Sequence, residues 1–239
     1  MLVFVFCLLS VFSAEAFSFK IPEILNYDLT WTGIRAGEAS LAIRQNGDEM
    51  TITSTARSAK WISVFYTVND IAESRLQKNQ KTRGIGQPVN YRLNIREGKS
   101  RKNKEVMFDH AALKAIYSDH LENERKEFEI PSFILDPLSS FYFLRAQNLE
   151  VGKSVYVTVF DSKKVWNVEV QVLRKEKVEV PAGEFNTIVV KPLMQSEGIF
   201  YRKGEIYIWL TDDERRIPVM LKTKVKIGSV NALLVGGTY

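Results

Sequence analysis

At 239 residues with 45% hydrophobic content, the chain has material for one large β domain or two small ones. Its 33 basic and 28 acidic residues leave a net charge of +5 but are interspersed, which argues against a nucleic-acid partner and leaves anionic membrane surfaces or acidic polysaccharide open. Cys7 is the single cysteine and falls in an apolar leader, so disulfides, thiolate metal sites and cysteine nucleophiles are not expected in the mature chain.

Leu2 to Phe12 is an apolar run of the length of a signal-peptide core, followed by Ser13 and by Ala14-Glu15-Ala16, small residues where a signal peptidase reads. Residues 1–16 are therefore expected to be a signal peptide cleaved after Ala16, with 17–239 forming a single domain. Ser13 and Glu15 interrupt the run before the roughly 20 apolar residues that a spanning helix needs. Phe4-Val5-Phe6 ahead of Cys7 lacks the small residues of a lipidation site, so a periplasmic, non-lipidated protein is expected.

From Tyr27 the pattern has period two: Tyr27, Leu29 and Trp31 alternate with polar neighbours, Gly33 to Gly37 supplies a bend, and Ala39, Leu41 and Ile43 resume. Asn46-Gly47-Asp48 is a turn into a strand over Met50 to Ser58. A short irregular or helical piece over 59–64 carries Trp61, and a strand is expected from Tyr66 to Leu76. Gly84, Gly86 and Pro88 mark a loop, after which Val89 to Ile95, Val106 and Phe108, Leu113 to Tyr117, and Phe128 to Ile130 form a meander.

Asp136-Pro137 then opens the one strong helix signal, because Asp136 accepts from first-turn N–H groups and Pro137 gives up a donor that would be unpaired anyway. Leu138, Phe141, Tyr142 and Leu144 recur at helical spacing, and the end is expected between Asn148 and Gly152. Beyond it, strands are expected over Ser154 to Phe160, Val165 to Val180, Ile188 and Val190, Gly204 to Leu210, Ile217 to Ile227 and Val230 to Val235.

About a dozen antiparallel strands with one main helix predict an all-β fold: a strongly curved sheet, barrel or half-barrel, with the helix packed on its concave side. A flat sandwich is the alternative. The fixed helix start, with no glycine hinge beside it, favours a plug over a swinging lid.

Asp109-His110 and Asp119-His120 fall at turn starts with no third ligand placed by spacing, so they read as structural turns and no metal site is assigned. Asp212-Asp213-Glu214 reads as a solvated hairpin tip compensated by Arg215 and Arg216. Ser139 and Ser140 lack a nucleophile-elbow context. No catalytic set and no cofactor is assigned. The aromatic excess either packs a core or lines an apolar pocket, and Trp31, Trp61, Phe65, Phe141 and Tyr142 are the candidate ligand-facing residues.

The segments Tyr27-Asp28-Leu29-Thr30-Trp31-Thr32-Gly33-Ile34, Ile95-Arg96-Glu97-Gly98-Lys99, Asp136 to Tyr142, Pro181-Ala182-Gly183-Glu184-Phe185 and Gly204 to Asp213 with Pro218-Val219 together resemble the exported bacterial family DUF3108. That resemblance implies an extracytoplasmic all-β protein with no established activity. The closing hairpin from Trp209 to Val219 is also similar to periplasmic lipoprotein carriers of the LolA and LppX type, which implies acyl-chain binding.

Three functions are therefore weighed. One is a non-enzymatic envelope protein that binds a lipid or other apolar ligand in its curved sheet. Another is a scaffold with a filled core and an envelope-protein partner, and the third a hydrolase of envelope polymer using Asp212 or Asp109.

Overall fold

The alternating pattern becomes fourteen strands and two helices among the described residues, 20–77, 85–193, 205–224 and 228–239 of a computed structural model. β1 (Glu23–Trp31) and β2 (Ile34–Asn46) meet at a turn where Thr32 and Gly33 take φ of 47° and 87°. β3 (Glu49–Ser58) leads through the single-turn α1 (Lys60–Ser63) into β4 (Asn69–Gln77). β5 (Gln87–Glu97), β6 (Ser100–Asp109), β7 (Lys114–Asp119) and β8 (Glu124–Glu129) continue the meander. α2 (Pro137–Arg145) then crosses to β9 (Ser154–Asp161), from which β10 (Lys164–Val180), β11 (Gly183–Leu193), β12 (Ile206–Thr211), β13 (Pro218–Lys224) and β14 (Ser229–Thr238) return.

All fourteen belong to one antiparallel sheet in the order β8-β7-β6-β5-β4-β3-β2-β1-β14-β13-β12-β11-β10-β9. The first and last strands therefore pair at its centre, and β8 and β9 are its edges. The sheet curves until those edges face each other: the Phe128 and Phe160 rings lie 5.6 Å apart, and Lys163 beyond β9 pairs with Glu124 on β8. Side chains, not a backbone ladder among the described residues, span the gap, so the barrel is unclosed. Leu135 covers part of the β9 edge by donating to the Thr158 carbonyl (3.1 Å) and accepting from Phe160 N–H (2.8 Å).

A single curved sheet with a helix inside it is the half-barrel expected from the pattern, not the sandwich. Some boundaries differ. The bend assigned to Gly33 to Gly37 is only the Thr32-Gly33 turn, and Gly37 lies within β2, where a Cβ would sit 2.2 Å from the Arg57 carbonyl oxygen. The strand expected from Tyr66 begins at Asn69, because Phe65 and Tyr66 N–H groups are drawn back to the Ile62 carbonyl in the exit from α1. α2 stops at Arg145, ahead of Asn148, since Ala146 bonds to Phe143 O (3.1 Å) in a tightened last turn.

The interior holds two apolar clusters that share α2. Ile43, Met50, Ile52, Leu76, Tyr91, Phe108 and Phe160 belong to the β2–β9 side, and Val157, Val168, Ile188, Val190 and Ile208 to the β9–β12 side. A third cluster gathers residues of β1 and β11–β14, among them Leu25, Tyr27, Val189, Trp209 and Leu234. There the β10–β11 hairpin kinks at the Val172/Arg174 register shift, and Ala182 N–H reaches the Leu234 carbonyl (2.9 Å). Trp209 is enclosed beneath it, only 6% exposed, with its indole N–H donating to Glu176 Oε1 at 2.6 Å.

Candidate functional site

Both ends of α2 are fastened inside the sheet. At its start, the buried Asp136 carboxylate accepts from Leu138 N–H (2.8 Å), Ser139 N–H (3.1 Å), Ser139 Oγ (2.8 Å) and Ser74 Oγ of β4 (2.6 Å). Ser139 Oγ in turn accepts from Asp136 N–H at 2.9 Å, which completes a capping box. Burial raises the Asp136 carboxyl above its ordinary range, and these four donors only partly offset that.

At the other end, Arg145 is fully enclosed and makes a two-pronged pair with Glu23 of β1 at 2.7 and 2.8 Å. Its remaining donors go to the carbonyls of Arg216 and Arg215, both at 3.0 Å, and its guanidinium sits 4.8 Å from the centre of the Tyr142 ring. Burial acts to lower the Arg145 pKa, but the Glu23 bonds and charge outweigh it and hold the group protonated. Nothing in sequence spacing pairs residues 23 and 145; an arginine on the last turn of a helix reads as a solvated cation facing the helix C-terminus.

Between these anchors the helix does not fill the sheet. Pro137, Leu138 and Phe141 form one wall of an open concavity of about 550 Å³. Its floor follows from the register. Ala39 of β2 lies opposite Ala56 of β3, and Ser54 of β3 opposite Ala72 of β4, so four small side chains face inward at neighbouring positions. The same strands carry Ile43, Met50, Ile52 and Leu76 further along, where the interior is packed solid. The volume is thus set by side-chain size along three strands. Tyr27, Leu93, Ile95, Ile208, Leu221 and Ala232 extend an apolar surround, with Ser40, Asp70, Glu97, Ser100 and Lys102 among its polar exceptions.

Of the candidate ligand-facing residues, Phe141 lines this concavity and also a smaller one of about 60 Å³ toward β9–β12. Tyr142 is buried beside it, but donates its hydroxyl to Glu23 (3.2 Å) within the Arg145 anchor and does not reach the cavity wall. Trp31 at the end of β1, Trp61 in α1 and Phe65 in its exit lie outside the cavity lining and are 39%, 48% and 85% exposed. The small residues Ala39, Ser54, Ala56 and Ala72 were the missing signal: a period-two run of small inward positions marks a floor that aromatic counting passes over.

The polar motifs are engaged in their own loops. Asp109 accepts from Ala111 and Ala112 N–H (3.0 and 2.8 Å), and His110 Nε2 bonds the Pro88 carbonyl at 2.7 Å. Asp119 accepts from Leu121 N–H (3.1 Å), while His120 Nε2 lies 3.4 Å from Glu105. Asp212 pairs with Lys175 (2.7 Å) and Arg216 (3.1 Å), Lys175 above all holding its carboxyl below the ordinary range. Burial would raise Asp213, but the Thr211 hydroxyl (2.6 Å) and Arg215 (2.9 Å) outweigh it.

A family model described as "Protein of unknown function (DUF3108)" matches residues 26–235. The chain belongs to the DUF3108 family. Among solved structures, this DUF3108 chain is similar to a β-barrel-like protein of the domain of unknown function DUF1849 from Brucella abortus, at 12% identity and a TM-score of 0.56, over 91% of this chain and 97% of that one. That likeness shows a shared β-barrel-like fold.

A candidate exported protein with a YmcC-like fold from Bacteroides fragilis aligns at 11% identity and a TM-score of 0.39, over 92% of this chain and 97% of that one. A candidate lipoprotein from Parabacteroides distasonis aligns at 9% identity and 0.36, over 91% and 95%. No curated protein matches the chain. The leader assigned to residues 1–16 lies outside the described residues.

Proposed function

We propose that this DUF3108 chain is a non-enzymatic periplasmic protein that holds a lipid or other amphipathic molecule in the concavity beside α2. The observation that carries this reading is the open volume of about 550 Å³ over a floor of small side chains, in the middle of the size range of small-molecule sites. A scaffold with a filled core has no use for such a space, since each void in an interior forfeits packing contacts. The apolar surround with a few polar groups at one end matches a ligand with a chain and a head. The signal-peptide pattern over residues 1–16 supports the compartment.

The test is titration with a fluorescent fatty-acid probe. Saturable binding is expected for the parent, and Ala56→Phe, which projects a ring from the floor, is expected to abolish it at an unchanged melting temperature. Equal binding by parent and Ala56→Phe, or no binding by the parent, contradicts the proposal.

A further inference from the structure

The end of the sheet at which the concavity opens carries an apolar lip. α1 and its exit expose Trp61, Val64, Phe65 and Tyr66, and the strand ends on either side of the β1–β2 turn expose Trp31 and Ile34; Val64 and Phe65 are 77% and 85% exposed. Backbone bonds fix these segments to the mouth. Ala59 N–H reaches the Ala36 carbonyl (2.7 Å), Gly98 N–H in the β5–β6 turn reaches the Thr67 carbonyl (2.8 Å), and the Tyr66 ring lies against Gly98. Glu97 and Ser100, on either side of that turn, line the concavity, as do Ala56 and Asp70, which flank the Ser58–Val68 bond.

Three cations around the lip stand outside the ion pairs of the described residues. Asp28 and Glu38 already hold Arg35, at 2.7 and 3.9 Å, and Asp70 accepts from Arg96 N–H at 2.9 Å. Arg57 at the end of β3, Lys60 in α1 and Lys99 in the β5–β6 turn make no ion pair among the described residues. Exposed rings and aliphatic side chains flanked by unpaired cations suit the surface of an anionic bilayer, where aromatic groups settle at headgroup depth and basic groups meet phosphates. A water-facing role gives no account of Val64 and Phe65 standing almost fully in solvent side by side.

We infer that this lip docks the protein on an anionic lipid surface, with the mouth of the concavity turned to the bilayer. An apolar molecule then passes between membrane and cavity without crossing open water. Docking stands on the composition of the lip; what passes through the mouth rests on the cavity reading.

The test is flotation of the full chain with equimolar phosphatidylglycerol–phosphatidylcholine vesicles and with phosphatidylcholine vesicles alone. Val64→Ser with Phe65→Ser is expected to lower partition into the anionic vesicles about tenfold. Lys60→Gln and Lys99→Gln are expected to lower it about fivefold each, and only in anionic vesicles.

The exposure of all four side chains predicts unchanged melting temperatures; should the serine pair fail to fold, the two lysine variants decide the matter alone. Undiminished flotation in the variants, equal flotation with both vesicle types, or self-association of the parent that the serine pair abolishes overturns the inference. Ala56→Phe separates the two proposals: it is expected to lose the fatty-acid probe while still floating with the anionic vesicles.

Discussion

Replacing Glu23 by Leu tests what holds α2 in place. The carboxylate is 1% exposed and takes two bonds from Arg145, whose own side chain is 0% exposed, together with the Tyr142 hydroxyl. With it removed, a guanidinium remains in the interior with only the Arg215 and Arg216 carbonyls and the Tyr142 ring for company. Breaking one side of a buried pair costs about 3–5 kcal/mol, because the surviving charge stays desolvated. At roughly 2–4 °C per kcal/mol for a domain of this size, the melting temperature should fall by about 6–20 °C.

Arg145→Met should cost a similar amount by leaving Glu23 uncompensated. The double variant removes both charges and should cost less than the sum, by about 1.5 kcal/mol or more. Urea denaturation of the three variants and the parent measures this. Additivity within about 0.5 kcal/mol, or a Glu23→Leu cost under about 1 kcal/mol, refutes the assignment of this pair as the anchor.

Trp209→Ala should cost about 3–5 kcal/mol by urea denaturation, since the ring is enclosed under the β10–β11 hairpin and bonded to Glu176, and a loss under about 1 kcal/mol contradicts that packing. Phe141→Ala should join the 550 and 60 Å³ spaces and admit a longer acyl probe, which a probe-length series reads directly; an unchanged length preference contradicts the placement of that ring.

Glu124, held down to about 2 by bonds from Lys126 and Lys163, contributes stability that is full above its ordinary value of 4.5 and is lost as pH falls toward about 2. Denaturation across that window should show a flatter pH dependence in Glu124→Gln. Asp136 has the opposite sign: with its folded pKa raised above 3.8, the parent loses stability as pH rises through the window above that value. The stability of Asp136→Asn relative to the parent should therefore rise with pH there and then level off, and a difference that falls with pH contradicts the burial of this cap.

Local rules made most of the architecture legible. Asp136-Pro137 marks a helix start by capping chemistry, and alternation with turn residues marks the hairpins from β5 to β8, because both signals are written within a few residues. The end of α2 was less readable: the helix stops in a tightened turn at Arg145, and Arg145 turns inward to Glu23, a contact between positions far apart in the chain. The concavity was legible at Phe141, where helical spacing points one face to the sheet. It was hidden at Ala39, Ser54, Ala56 and Ala72, because small residues signal a space only once the register sets them side by side. Counting aromatics points equally to Trp31, Trp61 and Phe65, which stand at the rim, at the end of β1, in α1 and in its exit, a placement that depends on how the hairpins end.

The most direct measurement is native mass spectrometry of the protein recovered without detergent from the cells that make it, alongside Ala56→Phe prepared in the same way. The parent is expected to carry a non-covalent, solvent-extractable lipid or acyl species, and the folded variant to lack it. A parent that flies only at its bare polypeptide mass, and stays so after incubation with fatty acids, contradicts the claim that the concavity is a ligand site.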